Sequence, residues 1–200
     1  MNTLLTKYGQ TLAQGVHVEY PRPQLRRDSY LNLNGPWDFG ISDDFNVEVL
    51  DSTIIVPFSP ESVLSGISKT VGLNQTAFYK RPVTLPDGFN QGRLLLHFGA
   101  VDQLCWVYIN QQLVCHHVGG FVPFSIDITP YVSSSSFEIS LKVQDTTDTS
   151  YHLNGKQRLE RGGIFYTPQS GIWQTVWMES VPNTYIEDLT ITPNVSKQSV

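Results

Sequence analysis

An alternation of apolar and polar residues over residues 137–144 is the feature that most restricts the fold of this chain. In an extended strand, side chains project alternately to opposite faces, so the apolar residues from Phe137 to Val143 share one face. Such a strand has one buried face and one solvent-exposed face, which is typical of an antiparallel sheet packed on a core. The segment is therefore predicted to be a half-buried strand.

Further segments rich in β-branched and aromatic residues are predicted to be strands as well. They are residues 37–41, 53–57, 77–85, 93–98, 104–109, 113–116, 122–128, 172–181 and 185–192. Turn-forming residues separate them, for example Asn110-Gln111 and Gly119-Gly120, and long helical periodicity is hard to find. This spacing predicts an all-β sandwich or barrel.

Composition and charge exclude several classes of partner. The chain has 200 residues, 40% hydrophobic and 16% charged, which is typical of one soluble domain. The net charge is -5 and the 13 Lys and Arg residues are scattered, so nucleic acid is not an expected partner. No segment approaches the roughly 20 apolar residues that cross a bilayer, and no signal peptide is evident. We expect a cytoplasmic location without membrane contact.

Motifs for common catalytic and cofactor chemistry are missing. The sequence contains no GxSxG, HExxH, GxxxxGK or GxGxxG. His116 and His117 are adjacent on a predicted strand and point to opposite faces, so they do not chelate one metal together. Cys105 and Cys115 lack metal-type spacing and are interpreted as thiols. We therefore expect no cofactor, no metal and no catalytic residue in this chain.

A long segment without a predicted strand, residues 145–171, has the composition of a functional loop. Connections of this length inside a compact domain are uncommon, and its aromatic residues favour order over disorder. Sugars present C–H faces that stack on aromatic rings and hydroxyls that bind amide, carboxylate or guanidinium groups, and the loop carries all of these. Composition alone does not decide between a sugar-binding loop and one that packs on the sandwich.

Both ends of the chain depart from the strand-and-turn pattern. Residues 1–35 are irregular and carry Pro21 and Pro23, so they are predicted to form an arm laid across the sandwich. Trp173 and Trp177 are predicted to be core residues of the strand at 172–181. Pro182-Asn183 is interpreted as a domain boundary, with residues 1–183 forming the sandwich and residues 184–200 a linker and the first strand of a further domain.

Several sequence blocks, taken in order, resemble the N-terminal domain of glycoside hydrolase family 2, the β-galactosidase and β-glucuronidase family. The blocks are PRP at 21–23, LNGPWDF at 33–39, VPFSPES at 56–62, FYKR at 78–81, RLLLHFGAVD at 93–102, HVGGFVPFSIDIT at 117–129 and SGIWQTVW at 170–177. The resemblance spans nearly the whole chain.

The resemblance implies a jelly-roll, galactose-binding-like β-sandwich. In the family it is followed by an immunoglobulin-like domain and a catalytic (β/α)8 barrel that carries both catalytic Glu residues. This chain is accordingly expected to hydrolyse nothing alone, while the parent protein is expected to be a retaining glycosidase. The domain is expected to pack on the barrel and to help shape the subsite for the glycone. A free-standing carbohydrate-binding module and a docking domain without a ligand remain the alternatives.

The same resemblance directs attention to the position six residues before Gly171. Family members place an acidic, sugar-contacting residue there, whereas this chain has Phe165. The expected carbohydrate-binding residues are therefore aromatic and polar groups of the loop: Phe165, Tyr166, Asn154, Lys156, Gln157 and Arg161. Glu61 is a further candidate, because its block corresponds to a rim loop of the family; the alternative is a capping residue of a short helical turn at 59–64.

Overall fold

The computed structural model describes residues 5–198, and its regular secondary structure consists of β-strands and a few short 3-10 turns. The strands are β1 Tyr30–Asn32, β2 Gly35–Ser42, β3 Ser52–Val56, β4 Thr76–Thr84, β5 Arg93–Phe98, β6 Val101–Asp102, β7 Leu104–Ile109, β8 Gln112–Val118, β9 Phe124–Asp127, β10 Ser136–Gln144, β11 Gly171–Ile172 and β12 Val176–Val181. Short 3-10 turns occupy Gly9–Gln14, Pro23–Leu25, Val63–Ser65 and Thr129–Tyr131. Within residues 5–198, no helix is long and apolar enough to cross a membrane.

Two antiparallel sheets enclose the core. One has the order β1-β12-β5-β9 and the other β3-β2-β4-β10-β7-β8, while β11 and β6 form a small separate pair. The alternating segment 137–144 is β10, which lies between β4 and β7 and buries Phe137, Ile139 and the following apolar residues. They contact residues of the four-stranded sheet, such as Leu96 and Met178, in one hydrophobic cluster. The predicted all-β sandwich is confirmed.

The predicted strand at 172–181 is wrong as one continuous element. Its first residues form β11, which pairs with β6, and its remainder forms β12, which pairs with β1 and β5. Between them the chain passes from the small pair to the four-stranded sheet, and Gly99 N donates a hydrogen bond to Thr175 O at 2.9 Å. Trp177 is buried as predicted, whereas Trp173 lies in the crossing segment, half-buried, and donates from Nε1 to Gly120 O at 2.7 Å.

The strand predicted at 185–192 is not formed among the described residues. Its apolar residues Ile186, Leu189 and Ile191 are exposed, and no neighbouring strand pairs with this segment. An alternating sequence becomes a strand only where another strand supplies hydrogen-bond partners. Tyr185 is held against the sandwich, with its ring 5.7 Å from the guanidinium carbon of Arg27 and 5.4 Å from that of Arg93.

The N-terminal arm covers the outer face of β12, although its last residues form β1 and the start of β2. The fully buried carboxylate of Glu179 on β12 accepts hydrogen bonds from the Tyr20 hydroxyl and from Arg22 Nη2, the latter at 2.8 Å. Trp177 lies beside it, stacked on His97 with ring centroids 4.8 Å apart. The arm is thus anchored to the last strand of the sandwich.

Candidate functional site

The loop between β10 and β11 is closed at its base by Asp145. This residue continues the buried face of β10, and its carboxylate is only 3% exposed. One oxygen, Oδ1, accepts from Thr147 N at 2.7 Å, and Oδ2 accepts from Ser170 Oγ at 3.0 Å. One buried side chain therefore ties the first and last residues of the loop together.

Glu61 supports the same base from the segment after β3. Its carboxylate accepts from Ser170 N at 3.1 Å and from Val71 N at 3.2 Å. Burial raises the pKa of this carboxyl above its ordinary value. The capping alternative for Glu61 is wrong, because the short turn Val63–Ser65 is capped by Ser62, whose hydroxyl accepts from Ser65 N. Through its hydrogen bonds with the amides of Ser170 and Val71, Glu61 stabilises the base of the loop.

Hydrogen bonds inside the loop give it a defined shape. Arg158 N donates to Tyr166 O at 3.1 Å and Tyr166 N donates to Lys156 O at 2.9 Å, which joins the two arms of the loop. The Gln157 side chain accepts from Gln169 N at 2.6 Å, and the Asn154 side chain donates to Gln157 O at 3.4 Å. Asn154 and Gln157 therefore hold the loop together from within.

Phe165 does not present a bare aromatic ring. The guanidinium carbon of Arg158 lies 3.6 Å from the ring centroid, so the guanidinium covers one ring face. Arg158 Nε is also 4.0 Å from Asp148 Oδ2. A backbone hydrogen bond of 3.1 Å from Phe165 N to Gly162 O closes a turn at this point. At this position the surface therefore consists of a half-buried ring with the Arg158 guanidinium packed on it.

The tip of the loop exposes large side chains. Tyr166 is 68% exposed, and Tyr151, Leu153 and Ile164 are also exposed. Lys156 and Arg161 are exposed too, although Arg161 Nη1 donates to Thr167 Oγ1 at 2.8 Å. Four large side chains exposed on one loop make it a candidate for contact with a ligand or another domain, because their exposure to water is unfavourable.

The loop backbone brings most of the predicted residues together. Lys156, Gln157 and Tyr166 meet where the two arms of the loop pair, and Phe165 is the next residue in the chain. Glu61 lies at the base, beside Ser170, and is not among the groups at the exposed tip. Among residues 5–198, no three His, Cys, Asp or Glu side chains form a group that could hold a metal ion.

Sequence reasoning missed Asp102, a buried carboxyl beneath the loop. It is 3% exposed, and within the described residues its Oδ1 has no hydrogen-bond partner. Burial, followed by the charges of Asp145 and Glu61, raises its pKa to about 7. Gly120 packs directly on this group, since a Cβ atom there would lie 2.2 Å from Oδ1. In the sequence, Asp102 ends the block at 93–102 and is interpreted as a turn or sheet-end residue, which gives no sign of its burial.

Comparison with known proteins places this architecture in a family. The family described as "Glycosyl hydrolases family 2, sugar binding domain" matches residues 60–182, which is more than half of the chain. The chain belongs to glycosyl hydrolase family 2. The matched part of this family 2 chain runs from Pro60, beside the supporting Glu61, to the end of β12, and it contains the whole of the loop.

Similar curated proteins are much longer than this family 2 chain. A β-galactosidase of Thermoanaerobacter pseudethanolicus is 26% identical over 158 residues, which cover 79% of this chain and 20% of that protein. A putative β-glucuronidase of Formosa agariphila is 30% identical over 122 residues, which cover 60% of this chain and 14% of that protein. The chain thus spans about a fifth or less of these relatives' lengths.

Solved structures share the fold. A β-glucuronidase from an uncultured Clostridium superposes with a TM-score of 0.62 at 22% identity, covering 86% of this chain and 32% of that one. A β-D-glucuronidase from Dictyoglomus thermophilum gives 0.61 at 24% identity, covering 84% of this chain and 30% of that one. The sandwich of this family 2 chain is therefore an architecture found within larger glycosidases.

Proposed function

We propose that this chain is the non-catalytic N-terminal jelly-roll domain of a family 2 glycosidase, and that its long loop helps to shape the glycone subsite of a catalytic barrel. The observation that carries the proposal is the exposure of large loop side chains, Tyr166 among them, on a loop whose base is fixed by Asp145 and Glu61. A fixed loop with an exposed tip is suited to complete a site on another domain, because little order is lost on contact.

The predicted residues divide into contacting and supporting roles in this proposal. Tyr166 and Lys156 are exposed and are assigned to contact the sugar or the barrel. Phe165 contributes through the Arg158 guanidinium packed on it, which offers hydrogen-bond donors to a sugar hydroxyl. Asn154, Gln157, Arg161 and Glu61 hold the loop in shape through the hydrogen bonds described above.

The domain division at Pro182-Asn183 and an immunoglobulin-like domain from residue 184 onward belong to the same proposal. The exposed alternating residues at 185–192 support it, because such a segment pairs readily once a neighbouring strand is supplied. The proposed substrate is a glycoside, in agreement with the names of the relatives, and the barrel is the proposed intramolecular partner. A cytoplasmic location stays a prediction.

The proposal is tested in the complete protein that contains this chain, assayed on p-nitrophenyl β-galactoside and β-glucuronide. Tyr166→Ala is expected to lower kcat/KM about tenfold, the loss of roughly one aromatic contact, with an unchanged melting temperature. Phe165→Ala is expected to lower kcat/KM as well, because it also releases Arg158.

Leu113→Ala is the matched control for these variants. Leu113 is likewise a half-exposed apolar residue, but it lies near the β7–β8 turn, at the opposite end of β7 from the loop. Activity equal to the wild type in Tyr166→Ala and Phe165→Ala would contradict a role at the subsite. A fall in melting temperature with unchanged kcat/KM would assign both residues to packing.

The two alternative functions differ in what the isolated chain does. A free-standing carbohydrate-binding module binds sugar at the loop without any barrel, whereas a docking domain binds none. Titration of the 200-residue chain with mono- and disaccharides separates them, because saturable binding that depends on Tyr166 excludes a docking domain without a ligand.

A further inference from the structure

A cleft on the outer face of the six-stranded sheet is separate from the loop. Its volume is about 180 Å³, and its lining includes Tyr108, Gln111 and Ser140, together with Glu48 and Lys142. Six molecules of liquid water occupy roughly this volume, and so does one sugar ring with its hydroxyl groups. Tyr108 and Ser140 are cross-strand partners on β7 and β10.

Tyr108 supplies an aromatic wall in this cleft. The buried residues of β7 are Cys105, Val107 and Ile109, so Tyr108 lies on the opposite, outward face and is half-buried. Its ring centroid is 5.7 Å from Lys142 Nζ. A half-buried tyrosine on a sheet face combines an apolar ring surface with a polar end, a combination that suits a sugar ring.

The polar groups of the cleft lie on a fixed part of the backbone, and several of them have no hydrogen-bond partner among the described residues. The β7–β8 turn has positive φ at Asn110 and Gln111, and Asn110 Oδ1 accepts from Glu138 N at 2.9 Å, which fixes the turn to β10. Among the described residues, the Gln111 amide and the hydroxyls of Tyr108 and Ser140 make no hydrogen bond. These groups are therefore available as donors and acceptors for a ligand.

The charges around the cleft balance one another. Glu48 Oε1 accepts from Lys80 Nζ at 2.7 Å, and the same ammonium is 3.6 Å from Glu138 Oε1. Lys142 Nζ donates to Phe45 O at 3.0 Å and completes a set of two cations and two anions. A neutral set with free amide and hydroxyl groups favours an uncharged ligand, because an ion gains no compensating attraction for the water it loses.

We propose that this cleft binds an uncharged saccharide, one ring of which stacks on Tyr108 and forms hydrogen bonds with Gln111 and Ser140. This site is additional to the loop and does not depend on the proposed role of the loop. It would give the domain a second surface for a carbohydrate chain, apart from the loop.

The experiment is a titration of the isotopically labelled 200-residue chain with cellobiose, followed by amide chemical shifts. Saturating shifts are expected in β7, the Asn110-Gln111 turn and β10. Tyr108→Ala is expected to weaken binding at least about tenfold, which is 1.4 kcal/mol. Tyr108→Phe keeps the ring and is expected to bind nearly as well as the wild type. Gln111→Ala, at an exposed turn, is expected to weaken binding without affecting the fold.

Tyr8→Ala, which truncates an exposed tyrosine of the N-terminal arm, is the matched control and is expected to leave cellobiose binding unchanged. The proposal is overturned if no saturating shifts appear in β7 and β10, or if the shifts are confined to residues 151–170. Shifts that persist unchanged in both Tyr108→Ala and Gln111→Ala overturn it as well, whether or not the loop binds sugar.

Discussion

Three carboxyl groups approach one another beneath the loop, and each is held differently. Glu61 and Asp145 accept hydrogen bonds from backbone amides, whereas Asp102 Oδ1 has no partner within the described residues. Burial opposes ionisation of all three, and at Asp102 the charges of Asp145 and Glu61 add to it. These effects raise the pKa of Asp102 to about 7.

Asp102→Asn is expected to remove a pH-dependent loss of stability. The pKa of Asp102 is raised from 3.8 to about 7 in the folded state. Below pH 3.8 Asp102 is protonated in the folded and the unfolded state, so its ionisation takes nothing from the free energy of unfolding. Between about pH 4 and pH 7 only the unfolded state ionises, and stability falls as pH rises. Urea unfolding from pH 4 to pH 8 should therefore show a flatter profile in Asp102→Asn, with a gain of about 1–3 kcal/mol at pH 8. A slope equal to that of the wild type would contradict this.

At the level of elements, the fixed loop depends on the way β10 continues into it. Asp145 lies two residues after Val143, so its side chain projects to the same, buried face of the strand. There it contacts Thr147 and Ser170. The buried carboxylate accepts from Thr147 N, from Thr147 Oγ1 at 3.4 Å and from Ser170 Oγ. It lies at the start of a 26-residue connection and limits the conformations of this loop, which has no regular secondary structure.

Asp145→Ala is expected to release the loop while leaving the sheets intact. Removal of the carboxylate leaves Thr147 N and Ser170 Oγ without their partner, at a cost of about 1–3 kcal/mol. Hydrogen exchange of the amides at 146–170 should accelerate, and that of β5 should stay unchanged. Asp87→Ala, at an exposed turn, is the control with no expected effect. Equal acceleration throughout the chain would indicate global destabilisation instead.

The sequence predicts a strand correctly where apolar and polar residues alternate within the strand itself. The bounds of β5 and β7 agree with the predictions to the residue, and β10 differs by one residue. The break between β11 and β12 was not predicted, because Trp173, Gln174 and Thr175 continue the same composition while the chain changes sheets.

The candidate site was predictable only in part, for a related reason. The position of Asp145 indicates burial, since it continues the alternation of 137–144 on the apolar face. By contrast, the packing of Arg158 on Phe165 joins residues whose meeting depends on how the whole loop folds, and no local pattern encodes that.

For the molecule as a whole, the contact between the arm and β12 joins the two ends of the sandwich through charged groups around the buried Glu179 carboxylate. Burial alone would raise the pKa of Glu179, but hydrogen bonds with His97, Tyr20 and Arg22 outweigh it and lower the pKa to about 2. The arm therefore contributes to stability through one ion-paired carboxylate and through the pairing of β1 with β12.

Glu179→Gln is expected to destabilise the whole domain by about 3 kcal/mol at pH 7, because Arg22 and Arg27 then lose their counter-ion. The folded-state pKa is lowered, so the contribution is present above the unfolded value near 4.5 and is lost as pH falls towards 2. Thermal unfolding from pH 3 to pH 7 should show this loss in the wild type and not in Glu179→Gln. Glu19→Gln, at an exposed pair with His17, is the control; an equal effect there would contradict the assignment.

The same contact has a consequence for the order in which the domain forms during synthesis. Arg22 and Glu179 are separated by 157 residues in the chain, and Ser29 and Ser180 by 151. The arm leaves the ribosome before the strands of the sandwich, but its binding partner is among the last residues of the sandwich to emerge. Contacts between such distant residues form slowly, since a long loop must close before they are made. Until β12 arrives, Tyr20 and Arg22 have no anchor, and the nascent arm remains a free segment open to chaperones and proteases.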